Sequence, residues 1–193
     1  DRTGYTFNGW YGNEELTGEA VRSLPEKYPA GTTTYYASWM AKTDVSYTVH
    51  YYLKDTTTSV AEDKVEQNKT FDAEYTESAV VVTGYTAAEP ATQSFTLDSL
   101  NKEITFYYTA DAAHITFVTN GGSAVEAMEG ATGQEITNRA MPTTARTGYT
   151  FNGWYGNAGL AGEEVRSLPE KYPAGTTTYY ASWIANPHVS YTV

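Results

Sequence analysis

The chain has 193 residues, 40% hydrophobic and 15% aromatic, with no cysteine and with 12 basic against 23 acidic side chains for a formal charge of −11. Its 18 Tyr, 6 Phe and 4 Trp exclude a disordered chain, and its 16 Gly and 7 Pro are too few for a collagen-like or low-complexity one. The lack of Cys excludes a disulfide framework, a thiol nucleophile and a thiolate metal site, and an acidic balance without Lys/Arg clusters argues against nucleic acid or membrane contact.

No apolar run reaches the roughly 18–20 residues of a membrane-spanning helix. The chain opens at Asp1 without an initiator Met or a signal segment, so it reads as an excised piece of a longer exported protein. The opening segment, 1–49, returns at 145–193 with an offset of 144. The copies differ only at 1, 14, 15, 17, 20, 40, 42, 43 and 44, which leaves 40 identical positions of 49. Such identity across an unrelated intervening stretch predicts one 144-residue period and about a third of the next, cut from a tandem array.

The next element, VSYTVHYYL from Val45 to Leu53, alternates Tyr47, Val49, Tyr51 and Leu53 against Ser46, Thr48 and His50, the two-residue period of a half-buried strand. A further strand is predicted over 62–67, a short helix running into a strand over 71–82, and a turn at Gly84-Tyr85. EITFYYT, with Ile104, Phe106 and Tyr108 alternating against Thr105 and Tyr107, closes this segment. HITFVTNGGSAV then places Ile115 and Phe117 on one face, and Asn120-Gly121-Gly122 supply the positive φ angles of a tight hairpin turn. Thr132-Gly133-Gln134-Glu135 has the spacing of a capping box and predicts a short helix through Ile136, Ala140 and Met141, stopped by Pro142. The strand at 147–157 is expected to set Tyr149, Phe151, Gly153 and Tyr155 on one face and Thr150, Asn152 and Trp154 on the other. The strand at 176–183 alternates Tyr179, Ala181 and Trp183 with Tyr180 and Ser182.

HITFVTNGGSAV followed by RTGYTFNGWY and TTTYYASW resembles the internalin-type B repeat, also called the Listeria/Bacteroides repeat, over 114–185 and, for its C-terminal part only, over 1–41. Segment 45–109, with YTVHYYL, VTGYTAAEP and ITFYYT, is similar to the mucin-binding-protein (MucBP-like) repeat. The two resemblances imply mainly β (α+β), small β-grasp-like modules in tandem. The modules would be 1–43 (truncated), 44–111 (MucBP-like), 112–187 (a complete B repeat) and 188–193 (the start of the next). They imply an extracellular protein attached to the cell wall of a bacterium, a surface stalk or adhesin whose partners are neighbouring repeats and host glycans or other surface proteins.

Modules of 65–75 residues bury only roughly 60% of their surface, so without disulfides or metals they must lean on aromatic rings. Connections of four or five residues predict a semi-rigid rod, extending about 60 Å per period if each module is about 30 Å across. Alternating two unlike modules keeps near-identical neighbours apart, which lowers the risk of misassembly. Residues 1–41 lack the counterpart of 114–145, so unpaired strand edges and an apolar face are expected there, to be satisfied by a neighbouring copy or by a different structural boundary.

Catalytic patterns are poor: no nucleophile elbow, P-loop or dinucleotide fingerprint occurs. His50, His114 and His188 lack metal spacing, and the aspartates lack the alternation of a calcium loop. Glu14 and Glu15 become Ala158 and Gly159 in the second copy, which fits a solvated loop rather than an acid/base pair. No cofactor or metal is expected and the fragment does not read as an enzyme. Lys64, Lys69 and Lys102 are the lysines a Lys–Asn crosslink would use, and nothing in their spacing singles out a triad. The competitor to a stalk is a glycan-binding module in which Trp10, Tyr11, Trp154 and Tyr155 stack on sugars. Core packing explains the same rings, and an accessory region of an exported enzyme is the third reading.

Overall fold

The computed structural model describes residues 1–187, so His188 and the module expected to begin at 188–193 lie outside the described residues. Every regular element among the described residues is a strand. In chain order they are β1 (Tyr5–Tyr11), β2 (Tyr36–Ala41), β3 (Val45–Leu53), β4 (Lys64–Lys69), β5 (Glu74–Ser78), β6 (Tyr85–Ala87), β7 (Thr92–Thr96), β8 (Asn101–Ala110), β9 (Ala112–Val118), β10 (Met128–Ala131), β11 (Tyr149–Tyr155) and β12 (Gly175–Ala185). The mainly β expectation holds, and its α component does not. Two compact units result, one of Asp1–Val80 with Ala88–Tyr107, the other of Val81–Ala87 with the chain from Tyr108 onward.

In the first unit β1 and β2 form an antiparallel pair, β5 pairs antiparallel with β7, and β4 lies beside β3 in the sheet that also takes up β8. The two-residue period of β3 is realised at Tyr47, Val49 and Tyr51, which are buried together with Val45, while Leu53 at the strand's end is half-buried; Phe71, Leu97, Ile104 and Phe106 join them in the core. Each such ring or branched chain contributes about 1.5–3 kcal/mol by leaving water. Of the short helix running into a strand expected over 71–82, only a strand forms, β5. Its residues run in register opposite β7, from Glu74↔Thr96 to Ser78↔Thr92, so the ladder satisfies the backbone groups a helix would have paired internally. Lys42, between β2 and β3, is held on both sides: its N–H donates to the Gly4 carbonyl (2.9 Å) and its carbonyl accepts from Phe71 N–H (2.8 Å).

The second unit is built on a four-stranded sheet in the order β10-β9-β12-β11. Its central pair, β9 with β12, is parallel, from Gly175↔Ala113 to Tyr180↔Val118. Both outer pairs are antiparallel. Asn120 (φ 48°) and Gly121 (φ 91°) take the positive φ angles expected of them, but Gly122 does not, and the turn closes no hairpin. β9 instead pairs with residues from Met128 on, because Ser123 N–H is drawn off to the Ala145 carbonyl (2.8 Å). The capping-box helix is absent for a similar reason. Gly133 and Ile136 donate their N–H groups to the Tyr172 and Glu170 carbonyls (2.9 and 2.8 Å), and Gly133 sits at φ 77°, so the cross-chain partners outcompete a local helix. A single residue, Asp111, joins β8 to β9, and like Lys42 it is clamped: its N–H donates to the Gly84 carbonyl (2.9 Å) and its carbonyl accepts from Thr132 N–H (2.9 Å). Its carboxylate also accepts from the Thr86 hydroxyl (2.6 Å).

Candidate functional site

The residues with the most surface chemistry to offer are the rings of the Gly-Tyr-Thr-Phe-Asn-Gly-Trp-Tyr strand, present as β1 and β11. In β11 strict alternation fails. The register slips between Phe151 and Trp154, where Gly153 takes φ 103°, a left-handed angle that a β-carbon disfavours. The bulge turns Phe151 and Trp154 onto one face, with ring centroids 5.5 Å apart, rather than the opposite faces that a regular strand would give them.

That face is the core of the second unit. Trp154 meets Phe117 edge-on at 5.1 Å, and its indole N–H donates to the Pro142 carbonyl (2.8 Å). Trp183 packs on Phe151 at 5.3 Å and donates to the Thr119 carbonyl (2.8 Å). Trp154 is 1% exposed, so its ring faces protein on both sides and offers no stacking surface, while Tyr155 is half-buried. Arg146 instead lies over Tyr149, 3.9 Å from the ring centroid.

The same sequence in the first unit is laid open. β1 carries the same bulge between Phe7 and Gly9, and the Phe7–Trp39 and Phe7–Trp10 contacts persist at 5.3 and 5.6 Å. Trp10 is nevertheless 47% exposed. Leu24 and Tyr28 are 75% and 104% exposed where their counterparts Leu168 and Tyr172 are 2% and 8%. Trp10, Val21, Leu24 and Tyr35 line an open groove of about 500 Å³ with Arg22 and Ser23. Of the four candidate sugar-stacking residues, then, only Trp10 presents a broad ring face, and Tyr11 is half-buried like Tyr155.

Ionisable groups gather elsewhere in the first unit. Buried Glu77 accepts from the Tyr47 hydroxyl (2.7 Å) and from Lys64 Nζ (2.9 and 3.0 Å), while Glu66 bridges Lys64 (2.9 Å) and Lys69 (2.7 Å). Burial first, then the bond to Glu77, pushes the Tyr47 phenol well above its ordinary value. The Glu77 bond holds Lys64 above its usual range, and Lys69 with Lys64 holds Glu66 below its own. Lys102 pairs with Asp98 (2.6 Å), so Lys64, Lys69 and Lys102 all end on carboxylates. His50 Nδ1 lies 2.9 Å from Asp63, and His114 is 3.9 Å from Glu129. These charges knit strands together; the residue sequence reasoning did not single out is Glu77, whose bond with the Tyr47 hydroxyl joins β3 to β5 across 30 residues.

Bulged aromatic strand pairs in two near-identical copies define a tandem β repeat whose Trp154 ring is buried in the second copy. A family model for the Listeria-Bacteroides repeat domain matches residues 1–38 and 114–182, and the chain belongs to that family. Repeats of this family occur in bacterial surface proteins. No curated protein matches the chain.

Proposed function

We propose that the chain is a stalk or spacer repeat of a bacterial surface adhesin or filament, extracellular and attached to the cell wall, whose role is to hold a binding tip away from the cell. The observation that carries this reading is the return of 1–49 at 145–193 with 40 of 49 positions identical, the mark of a tandem array, and within each unit the residues that link successive strands are held by backbone bonds. Lys42 and Asp111 each donate a backbone bond to one side and accept one from the other. The first of these bonds recurs in the second copy, where Asn186 N–H donates to the Gly148 carbonyl (3.0 Å). Each of these bonds lies within one compact unit, where it ties the connecting residue to the strands and turns around it.

In this reading 44–111 is the MucBP-like spacer and 112–187 the B repeat, and the aromatic rings are spent on small cores rather than on a ligand. The test is length. In small-angle scattering or electron microscopy of chains with one, two and three periods, the maximum dimension should grow by one constant increment, about 60 Å, per 144 residues. Growth with the much weaker dependence of freely jointed beads, or a compact particle, refutes a stalk.

A further inference from the structure

The chain carries the same sequence twice, once covered and once bare, and so it displays what the bare copy takes up. In the second unit β12 begins at Gly175, because residues 175–180 pair in parallel with β9. In the first unit the identical GTTTYY stretch starts at Gly31, yet β2 begins only at Tyr36. The loss is confined to the part of the strand whose partner is β9. The segment 167–172 likewise exchanges backbone bonds with 134–140, as Leu168 N–H to the Arg139 carbonyl and Tyr172 N–H to the Gln134 carbonyl, both 2.9 Å. Its counterparts include Leu24 and Tyr28, the most exposed large apolar residues of the first unit.

We infer that the open face of 1–41, centred on Trp10, Leu24, Tyr28 and the free edge at 31–35, is a docking site for a further copy of the segment 112–144. That copy adds as a parallel strand and closes the rings into a core. The nine differences between the copies leave the site intact. Among the described residues only position 1 has a counterpart that bonds to the covering segment, and Ala145 does so through its backbone N–H and carbonyl, both to Ser123. Trp10 and Trp39 keep the geometry that in the second unit receives Phe117 and the carbonyls of Pro142 and Thr119. The occupant's chemistry is thereby fixed: a strand with Ile and Phe two apart, a tight Asn-Gly turn, and a following segment that brings a second apolar residue, Ile136 in this chain, against the leucine and tyrosine. Edge strands lacking a partner are the places where another chain segment adds.

The experiment adds a synthetic peptide of residues 112–144 to the full 193-residue chain and follows amide exchange by mass spectrometry. Peptides ending at Met40 are distinguished from those ending at Ile184 by mass. The expected result is a saturable slowing of at least about tenfold at 31–36, together with loss of acrylamide quenching that is abolished in Trp10→Phe. A peptide with Ile115 and Phe117 both replaced by Ser should have no effect. A chain with residues 112–144 joined ahead of Asp1 should show the protection without added peptide. Equal protection by the Ser-substituted peptide, or none in either arrangement, overturns the proposal. So does a chain that is already dimeric with 31–36 protected, or shielding of Trp10 by oligosaccharides alone.

Discussion

Replacing Trp154 and Trp10 by alanine, one at a time, makes the same chemical change at corresponding positions of two copies that differ in cover. Trp154 is 1% exposed, in contact with Phe117 and Phe151, and its N–H satisfies the Pro142 carbonyl. Removing it forfeits the buried ring, opens a cavity and strands a carbonyl, which together cost about 3–5 kcal/mol. Trp10 is 47% exposed and keeps the edge contact with Phe7. Its loss should cost about 0.5–1 kcal/mol. Because the chain has two compact units, a single global melt would blend their responses. Amide exchange resolves them, and at about 1.4 kcal/mol per decade the opening constant should rise by two orders of magnitude or more across β11 and β12 in Trp154→Ala. In Trp10→Ala it should rise less than about tenfold across β1 and β2. Trp154→Phe, which keeps most of the ring but not the donor, should fall between. Equal effects at the two positions would refute the claim that cover, rather than sequence, decides what these rings contribute.

Three further outcomes follow from named contacts. A β-carbon on Gly4 (φ 79°) would overlap the Phe71 ring, whereas one on Gly148 (φ 80°) meets nothing within 4 Å among the described residues. Gly4→Ala should therefore loosen the Lys42 junction beyond the roughly 1–2 kcal/mol of left-handed strain that Gly148→Ala alone incurs, as seen in urea titrations of the paired variants. In acid, Glu66 has a folded pKa below its ordinary 4.5, so its contribution is present above that value and is lost as pH falls through the lowered one. In base, Tyr47 and Lys64 have folded pKa values above 10.0 and 10.5, so their contributions are complete below those values and disappear as pH rises through the raised ones. Stability of the first unit measured against pH should thus fall on both flanks. Tyr47→Phe should soften the alkaline fall at a cost of about 1 kcal/mol near neutrality; an unchanged alkaline flank would show that the phenol does not govern it.

The strand-forming parts of the fold were legible because period-two alternation reports directly on burial. Tyr47, Val49 and Tyr51 in β3, and Ile104, Phe106 and Tyr108 in β8, are buried as their spacing implies. What was not legible depended on partners distant in sequence. The helix signals at 132–141 and 71–82 are local, and they lose to backbone bonds with Glu170 and Tyr172 in one case and to the β7 ladder in the other. Trp154 was misplaced by one face because a bulge at a glycine adds a residue that alternation does not count. The Asn-Gly sequence that follows Phe151 is the signal that could have revealed it. The exposure of Trp10 and burial of Trp154 are not encoded in their shared neighbours at all; they follow from whether residues such as Phe117 and Pro142 lie against them.

The most direct measurement is native-state amide exchange on the unaltered chain, comparing GTTTYYASWM with GTTTYYASWI. If the covering segment makes the difference, amides at 31–36 exchange at close to unprotected rates while their counterparts at 175–180 are slowed by several orders of magnitude. Matching protection in the two stretches would contradict the account.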